Sequence, residues 1–275
     1  MLSNDGYSQT PLNIVQSFWR NRQLIWQMTR REVVGRYRGS VLGVLWSFFN
    51  PLLLLCVYTF VFSLVFRTKW GERAGSHAEF AIMLFAGLIV YSMFAECVNR
   101  APTLILNNVN YVKKVVFPLE SLAWVTLGST IFHSLVSVLV LLLMCLSVYS
   151  TLPWTVVLFP LVIAPLLLVI MGFSWFLASL GVFLRDVGQL VVIFTTVLLF
   201  MSPIFYPATA LPESVRSYIL LNPLTFAIEQ TRAVLIRGEL PSWLGLASYL
   251  SLSIVVAWLG LLWFLKTRHG FADVI

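Results

Sequence analysis

The chain alternates between long apolar stretches and short polar segments that carry almost all of its charge. A helix that crosses a bilayer needs about 20 mostly apolar residues. Six stretches have about this length or more, and they cover residues 41–66, 80–98, 121–150, 152–184, 187–211 and 240–265. The pattern therefore predicts an all-α membrane protein with six transmembrane helices.

Two further apolar segments do not fit a span. Residues 12–26 place Trp19 and Trp26 on one helix face among arginines, which is typical of an amphipathic helix at the inner membrane interface. Residues 217–228, between spans five and six, have only about half the spanning length of roughly 20 residues, which predicts short re-entrant helices.

The positions of these segments divide the chain into three predicted parts. Residues 1–40 form a cytoplasmic N-terminus with the interfacial amphipathic helix. Residues 41–266 form the transmembrane domain, with a re-entrant outer gate at about 203–239. Residues 267–275 form a cytoplasmic tail.

Composition supports a bilayer location. Apolar residues make up 59% of the chain and charged residues 11%, whereas soluble domains carry roughly 25% charged residues. A soluble enzyme is excluded on this ground. The three cysteines lie far apart within apolar stretches, so neither a disulfide framework nor a metal site is expected. The chain contains no phosphate-binding loop sequence, and no H-E-x-x-H motif, nucleophile elbow or clustered acidic pair stands out.

The distribution of positive charge predicts the orientation. If the termini lie on one side, 12 of the 18 lysines and arginines fall on that side and the remaining 6 on the other. The positive-inside rule then places both termini in the cytoplasm. The net charge of +7 is therefore a topology signal, and no nucleic-acid partner is expected.

Few ionisable residues lie inside the predicted spans. Glu96 and Arg100 have the spacing and order that favour an ion pair on one helix face, either as a helix-end salt bridge or as part of a gate. Among the acids and histidines only His133 lies deep in a span, and a hydrogen bond to a neighbouring serine or backbone group is favoured over a role as a proton relay.

Aromatic residues within the first two spans are candidates for lining a sugar path. Phe49, Tyr58, Phe62, Tyr91 and Phe94 lie there, and aromatic faces provide the apolar contact that sugar rings need, while tyrosine adds a hydroxyl. The alternative is ordinary lipid-facing or interfacial packing.

Four motifs along the chain resemble one known family. They are residues 36–46 running into Asn50-Pro51, residues 110–118, Arg185-Asp186, and residues 202–207 followed by Asn222-Pro223-Leu224 and 229–232. In this order they resemble the permease subunits of ABC-type polysaccharide exporters, which translocate lipid-linked O-antigen, some capsules and teichoic acids.

The resemblance implies a homodimer in the bacterial inner membrane. It also implies two copies of a separate cytoplasmic ATPase, which would bind ATP and Mg, so no cofactor is expected in this chain. The substrate would be an undecaprenyl-diphosphate-linked polysaccharide, with O-antigen favoured. The residues that would couple to the ATPase are Asn110, Tyr111, Lys113, Lys114, Arg185 and Asp186. Ordinary positive-inside charge accounts for Lys113 and Lys114 equally well.

The resemblance also suggests roles at the two membrane faces. Residues that would close the outer gate are Pro203, Tyr206, Pro207, Asn222, Pro223, Glu229 and Arg232, although a surface loop would explain the same segment. Arg31, Arg36 and Arg38 precede span one, where their guanidinium forks suit the substrate diphosphate. Topological anchoring accounts for these arginines equally well.

Three other functions remain open at this point. An ABC-type permease for a drug or small lipid would share the architecture. A membrane enzyme acting on lipid-linked sugars would need a catalytic His or Asp near a membrane face, and His77 and His269 are isolated in the sequence. A secondary transporter would work without ATP.

Overall fold

The computed structural model describes residues 12–61, 77–113, 117–207, 212, 219 and 222–275. Every regular element in these ranges is helical, which confirms the predicted all-α class. We number the α-helices α1 (Leu12–Arg36), α2 (Trp46–Tyr58), α3 (His77–Arg100), α4 (Val109–Lys113), α5 (Ser121–Tyr149), α6 (Phe159–Phe183), α7 (Val187–Met201), α8 (Pro223–Arg232), α9 (Trp243–Thr267) and α10 (Phe271–Val274).

Five helical stretches in the described residues are long and apolar enough to cross a membrane. They are Gly43–Val61, Ala78–Thr103, Ser121–Tyr149, Trp154–Phe183 and Trp243–Val274, and they overlap predicted spans one to four and six. The predicted fifth span is represented by α7, which has only 15 residues, or about 22 Å at 1.5 Å per residue.

Helix α7 stops early for a local reason. Ser202 has an extended backbone. It directly precedes Pro203, and a residue before a proline is disfavoured in the helical region. Helix α8 begins again at Pro223, after the side chain of Asn222 accepts a hydrogen bond from the Leu224 amide. The described residues of the predicted re-entrant segment therefore include one short helix of 10 residues.

Helix α1 lies along α5. Ile14, Ile25 and Val33 are buried, whereas Trp19 and Trp26 are 63% and 71% exposed. Exposed tryptophans suit a helix at the headgroup level, where an indole ring meets both apolar and polar surroundings. This arrangement fits the predicted interfacial position of α1, which stays a prediction.

The core lies around α3 and α6, whose inward faces are fully buried at Ile82, Phe94 and Trp175. Helices α6 and α9 form the most extensive helix pair. A Cβ atom on Gly260 would lie 2.2 Å from the carbonyl oxygen of Gly172, so the two backbones are in direct contact. Small residues allow this approach, which is a common way for membrane helices to associate.

Candidate functional site

An alternating row of charges joins α1 to α3 at the end of the bundle that carries α4, which we call the inner end. The Arg36 guanidinium pairs with Glu96, and Arg100 pairs with Glu32. Within α3, Arg100 Nη1 lies 3.7 Å from Glu96 Oε1, which confirms the predicted pair. Two positive and two negative groups therefore neutralise one another, which lowers the cost of charge next to apolar spans.

The pKa of Arg36 reflects both its partial burial and its partner in this row. Partial burial lowers the pKa of Arg36, but the hydrogen bond and charge of Glu96 outweigh it and raise the pKa above its ordinary value. Arginine is protonated throughout the physiological pH range, and Arg36 in addition has a fixed partner in Glu96. The contribution of Glu32 and the link to α1 were not predicted from the sequence.

The three arginines assigned to the diphosphate have different surroundings. Arg31 Nη2 donates to the Tyr111 hydroxyl at 3.1 Å, and so contacts α4. Arg36 is paired with Glu96. Arg38 is exposed, and within the described ranges no acceptor contacts its guanidinium. Of the three, Arg38 is the one whose guanidinium contacts no other side chain within the described residues.

A cavity of about 270 Å³ lies between α2, α3 and α5, close to Arg36. We call it the inner cavity. Its polar lining consists of Arg36, Tyr37, Ser47, Asn50, Tyr58, Tyr91, Ser92, Glu96, His133, Ser134 and Ser137. This is a dense group of hydroxyl, amide and charged side chains for such an apolar chain, and polar groups within spans commonly mark a functional site.

Hydrogen bonds fix several of these side chains. The Tyr37 hydroxyl lies 3.3 Å from Nδ1 of His133, and the Tyr91 hydroxyl donates to the Thr195 carbonyl at 3.0 Å. His133 Nε2 is buried and has no hydrogen-bond partner within the described residues. His133 is thus hydrogen-bonded as predicted, but its partner is the Tyr37 hydroxyl and not a serine or backbone group. Arg36, the last residue of α1, and Tyr37, which follows it, both line the cavity. The end of α1 therefore also covers part of the cavity.

The five aromatic residues assigned to a sugar path do not share one surface. Tyr58 and Tyr91 line the inner cavity. Phe94 is fully buried and packs against Phe173, with ring centroids 6.0 Å apart. Phe49 is 37% exposed and contacts Trp46 and Phe48, whereas Phe62 lies outside the described residues.

The segments assigned to ATPase coupling lie at the inner end. In α4, Asn110 and Lys113 are exposed, and the Tyr111 ring stacks on Phe117 with centroids 4.5 Å apart. Lys114 lies outside the described residues. Arg185 and Asp186 are exposed in the turn between α6 and α7. These polar side chains are therefore free to meet another protein.

At the opposite, outer end, Arg232 is completely buried. Its guanidinium donates to the carbonyl oxygens of Met83 at 2.9 Å, Pro203 at 2.6 Å and Ile204 at 3.1 Å. It also donates to Glu229 Oε1 at 2.9 Å. One side chain thus joins α8, α3 and the non-helical segment that follows α7.

Other residues assigned to the outer gate stabilise the same non-helical segment. Asn222 Nδ2 donates to Ser202 Oγ at 2.9 Å, and the Tyr206 hydroxyl donates to the Phe200 carbonyl at 3.0 Å. Pro223 occupies the first turn of α8, and Pro207 is half-buried. The burial of Arg232 was not predicted, although its spacing from Glu229 in an apolar segment is compatible with a pair.

Comparison with known proteins links this arrangement to one group of transporters. A model of the ABC-2 type transporter family matches residues 23–236. The chain is 29% identical over 266 residues to an O-antigen export system permease protein RfbA of Myxococcus xanthus, with 96% of this chain and 100% of that protein covered.

Two further relatives are more distant. A Klebsiella pneumoniae O-antigen export system permease protein RfbA is 27% identical over 254 residues, which cover 90% of this chain and 93% of that protein. The polysialic acid transport protein KpsM of Escherichia coli is 24% identical over 243 residues, with 84% and 88% covered.

Proposed function

The chain belongs to the ABC-2 type transporter family, and we propose that it is the permease subunit of an exporter of bacterial surface polysaccharide. Family membership and the five apolar helices make it a multi-pass membrane protein. The single observation that carries the proposal is its end-to-end similarity to a permease named for O-antigen export.

We assign the substrate as an undecaprenyl-diphosphate-linked polysaccharide, with O-antigen favoured over capsule. Three of the relatives are named for O-antigen export. The chain would move this substrate from the cytoplasmic to the outer side of the inner membrane, with both of its own termini in the cytoplasm. That orientation follows from the excess of positive charge on the terminal side.

The energy for transport would come from a second protein. A homodimer of this chain would bind two copies of a cytoplasmic ATPase, which carries the ATP and Mg sites. We place the contact at α4 and at the Arg185-Asp186 turn, because both present exposed polar side chains at the inner end.

The inner end offers a route by which movement of the ATPase would reach the membrane. Arg31 connects α4 to α1 through Tyr111, and Glu32 connects α1 to α3 through Arg100. One turn further along α1, Arg36 reaches Glu96 at the inner cavity. A displacement of α4 would therefore shift α1 against α3 and reshape the cavity.

The substrate diphosphate would first contact Arg38. Its guanidinium is exposed and, within the described residues, has no acceptor, whereas Arg36 already pairs with Glu96. A planar guanidinium forms two parallel hydrogen bonds to phosphate oxygens, and an ammonium does not. The sugars would then pass the tyrosines that line the inner cavity, Tyr58 and Tyr91.

We predict that Arg38→Ala lowers export about tenfold or more, since a charge-assisted hydrogen bond contributes roughly 1.5–3 kcal/mol. Arg38→Lys should give an intermediate rate, because it keeps the charge and loses the fork. The measurement is the initial rate at which surface polysaccharide appears after induction of each variant at matched expression.

Arg30→Ala is the matched control. Arg30 is an exposed arginine on α1, and its loss removes the same positive charge from the cytoplasmic side. Equal export in the Arg38 and Arg30 alanine variants would reject the diphosphate role and leave topological anchoring as the function of Arg38.

The proposed function is tested by deleting the gene in its native cells. We expect surface polysaccharide to disappear while its lipid-linked precursor accumulates on the cytoplasmic side, and complementation by the intact chain should reverse both. Precursor analysis separates the alternatives. A membrane enzyme of lipid-linked sugar synthesis predicts that the complete precursor is missing, and a drug or small-lipid permease predicts unchanged polysaccharide.

A further inference from the structure

Helix α4 has too little structure of its own to fix its position. It spans only 5 residues, and none of them is buried. Isolated helices shorter than about 12–15 residues are marginal in water. The orientation of its exposed side chains therefore depends on the elements that contact it. On one side this is α1, through the hydrogen bond from Arg31 to Tyr111.

On another side α4 is contacted by α10, the last helix of the chain. Helix α10 contacts both α4 and α6. Its first residue, Phe271, is fully buried, and its ring centroid lies 5.9 Å from that of Phe183 and 5.5 Å from that of Phe264. Phe183 ends α6 and stands two positions before Arg185. Helix α10 thus bridges the two segments assigned to the ATPase.

A charged contact holds the start of this tail in place. Arg268 Nη1 lies 3.7 Å from Glu120 Oε2, and the Glu120 side chain is only 1% exposed. The Glu120 backbone is itself held, because its carbonyl oxygen accepts a hydrogen bond from the buried Trp175 indole at 3.0 Å. Glu120 stands three positions after Phe117, which stacks on Tyr111 of α4.

We propose that Phe271 and Arg268 are positioning residues that hold α4 and the Arg185-Asp186 turn as one docking surface for the ATPase. This inference rests on the proposed function, which supplies the ATPase. Phe271 fixes α10 against the end of α6, and Arg268 fixes it against the segment that follows α4. With both contacts in place, a single partner surface engages the two segments at a constant separation.

The same helix supplies a control. Ala272, Asp273 and Val274 are exposed, so substitutions there leave the Phe271 contacts intact. Asp273→Ala changes an exposed side chain two positions from Phe271, whereas Phe271→Ala empties a buried aromatic site. Phe271→Leu refills much of that site with a smaller apolar side chain and serves as the conservative variant.

The experiment uses the full-length permease in lipid nanodiscs and the purified ATPase encoded beside it. Two quantities are measured for each variant, the dissociation constant for the ATPase and the thermal unfolding midpoint of the permease alone. We expect Phe271→Ala to weaken ATPase binding about tenfold or more, given the size of the lost aromatic contacts. Phe271→Leu should recover most of the affinity, and Asp273→Ala should bind like the wild type.

Arg268→Gln and Arg268→Lys provide an independent test if Phe271→Ala does not fold. We expect Arg268→Gln to weaken binding and to lower the unfolding midpoint, because it removes the cation opposite the buried Glu120 carboxylate, so the affinity is measured well below that midpoint. Arg268→Lys should restore both quantities, because lysine keeps the charge opposite Glu120. Wild-type affinity in a folded Phe271→Ala and in Arg268→Gln would overturn the positioning role alone. An ATPase that fails to bind even the wild-type permease would overturn the proposed function, and this inference with it.

Discussion

Replacing Arg232 with methionine should disrupt the outer end of the bundle more than any other single side-chain change in the described residues. The substitution removes the donor to the carbonyl oxygens of Met83, Pro203 and Ile204 and one of the two arginines paired with Glu229. A buried polar group left without its hydrogen-bond partner costs about 1–3 kcal/mol, and three carbonyl oxygens lose this donor. We expect a large fall in the unfolding midpoint of the purified permease and loss of export.

Two further variants separate the effect of the hydrogen bonds made by Arg232 from the effect of its positive charge. Arg237 also contacts Glu229, at 3.6 Å, but its side chain is 37% exposed, so Arg237→Met should cost about 1 kcal/mol or less. Arg232→Lys keeps the positive charge, but an ammonium lacks the planar fork that serves several acceptors at once. It should therefore remain severely destabilised. Equal unfolding midpoints for Arg232→Met and Arg237→Met would contradict this account.

The second large effect is expected at the crossing of α6 and α9. A methyl group on Gly260 would lie 2.2 Å from the carbonyl oxygen of Gly172 and 2.7 Å from its carbonyl carbon. Both atoms belong to the backbone, so only separation of the two helices relieves the clash. Overpacking of this kind costs about 1–3 kcal/mol, and more where the backbone resists. We expect Gly260→Ala to lower the unfolding midpoint and the yield of monodisperse protein.

Gly35→Ala is the matched control for this prediction. Gly35 is also helical, but a Cβ atom there would meet no atom within 4 Å beyond the backbone of its own helix and its chain neighbours. Alanine favours a helix interior over glycine by about 1 kcal/mol. The same substitution should therefore leave stability unchanged or raise it at Gly35, and lower it at Gly260. A Gly260→Ala protein that is as stable as the wild type would show that the two backbones are not in close contact.

The helices were predictable because a spanning segment has a length and a composition that are visible in the sequence. Predicted spans one to four and six overlap helices of spanning length. The fifth is less well predicted, because the apolar run continues past Met201 while the backbone leaves the helix before Pro203. Apolar length identifies a span well, whereas the point at which a proline ends it depends on local geometry.

Contacts between helices were harder to predict. In a helix that is apolar all round, hydrophobic periodicity does not distinguish the face toward protein from the face toward lipid. Phe94 and Tyr91 are three positions apart on α3, yet Phe94 is buried in the core and Tyr91 lines the inner cavity. The pair of Glu96 with Arg100 follows from spacing within one helix, but the pair of Glu32 with Arg100 joins two helices.

In the proposed function, this chain forms a transport path and depends on a separate ATPase for its energy. The most direct test reconstitutes the purified permease into liposomes and follows translocation of its lipid-linked polysaccharide. We predict transport when the ATPase, ATP and Mg are all present, and none when the ATPase is omitted or when ATP is replaced by a non-hydrolysable analogue. Transport at an undiminished rate by the permease alone would contradict the account.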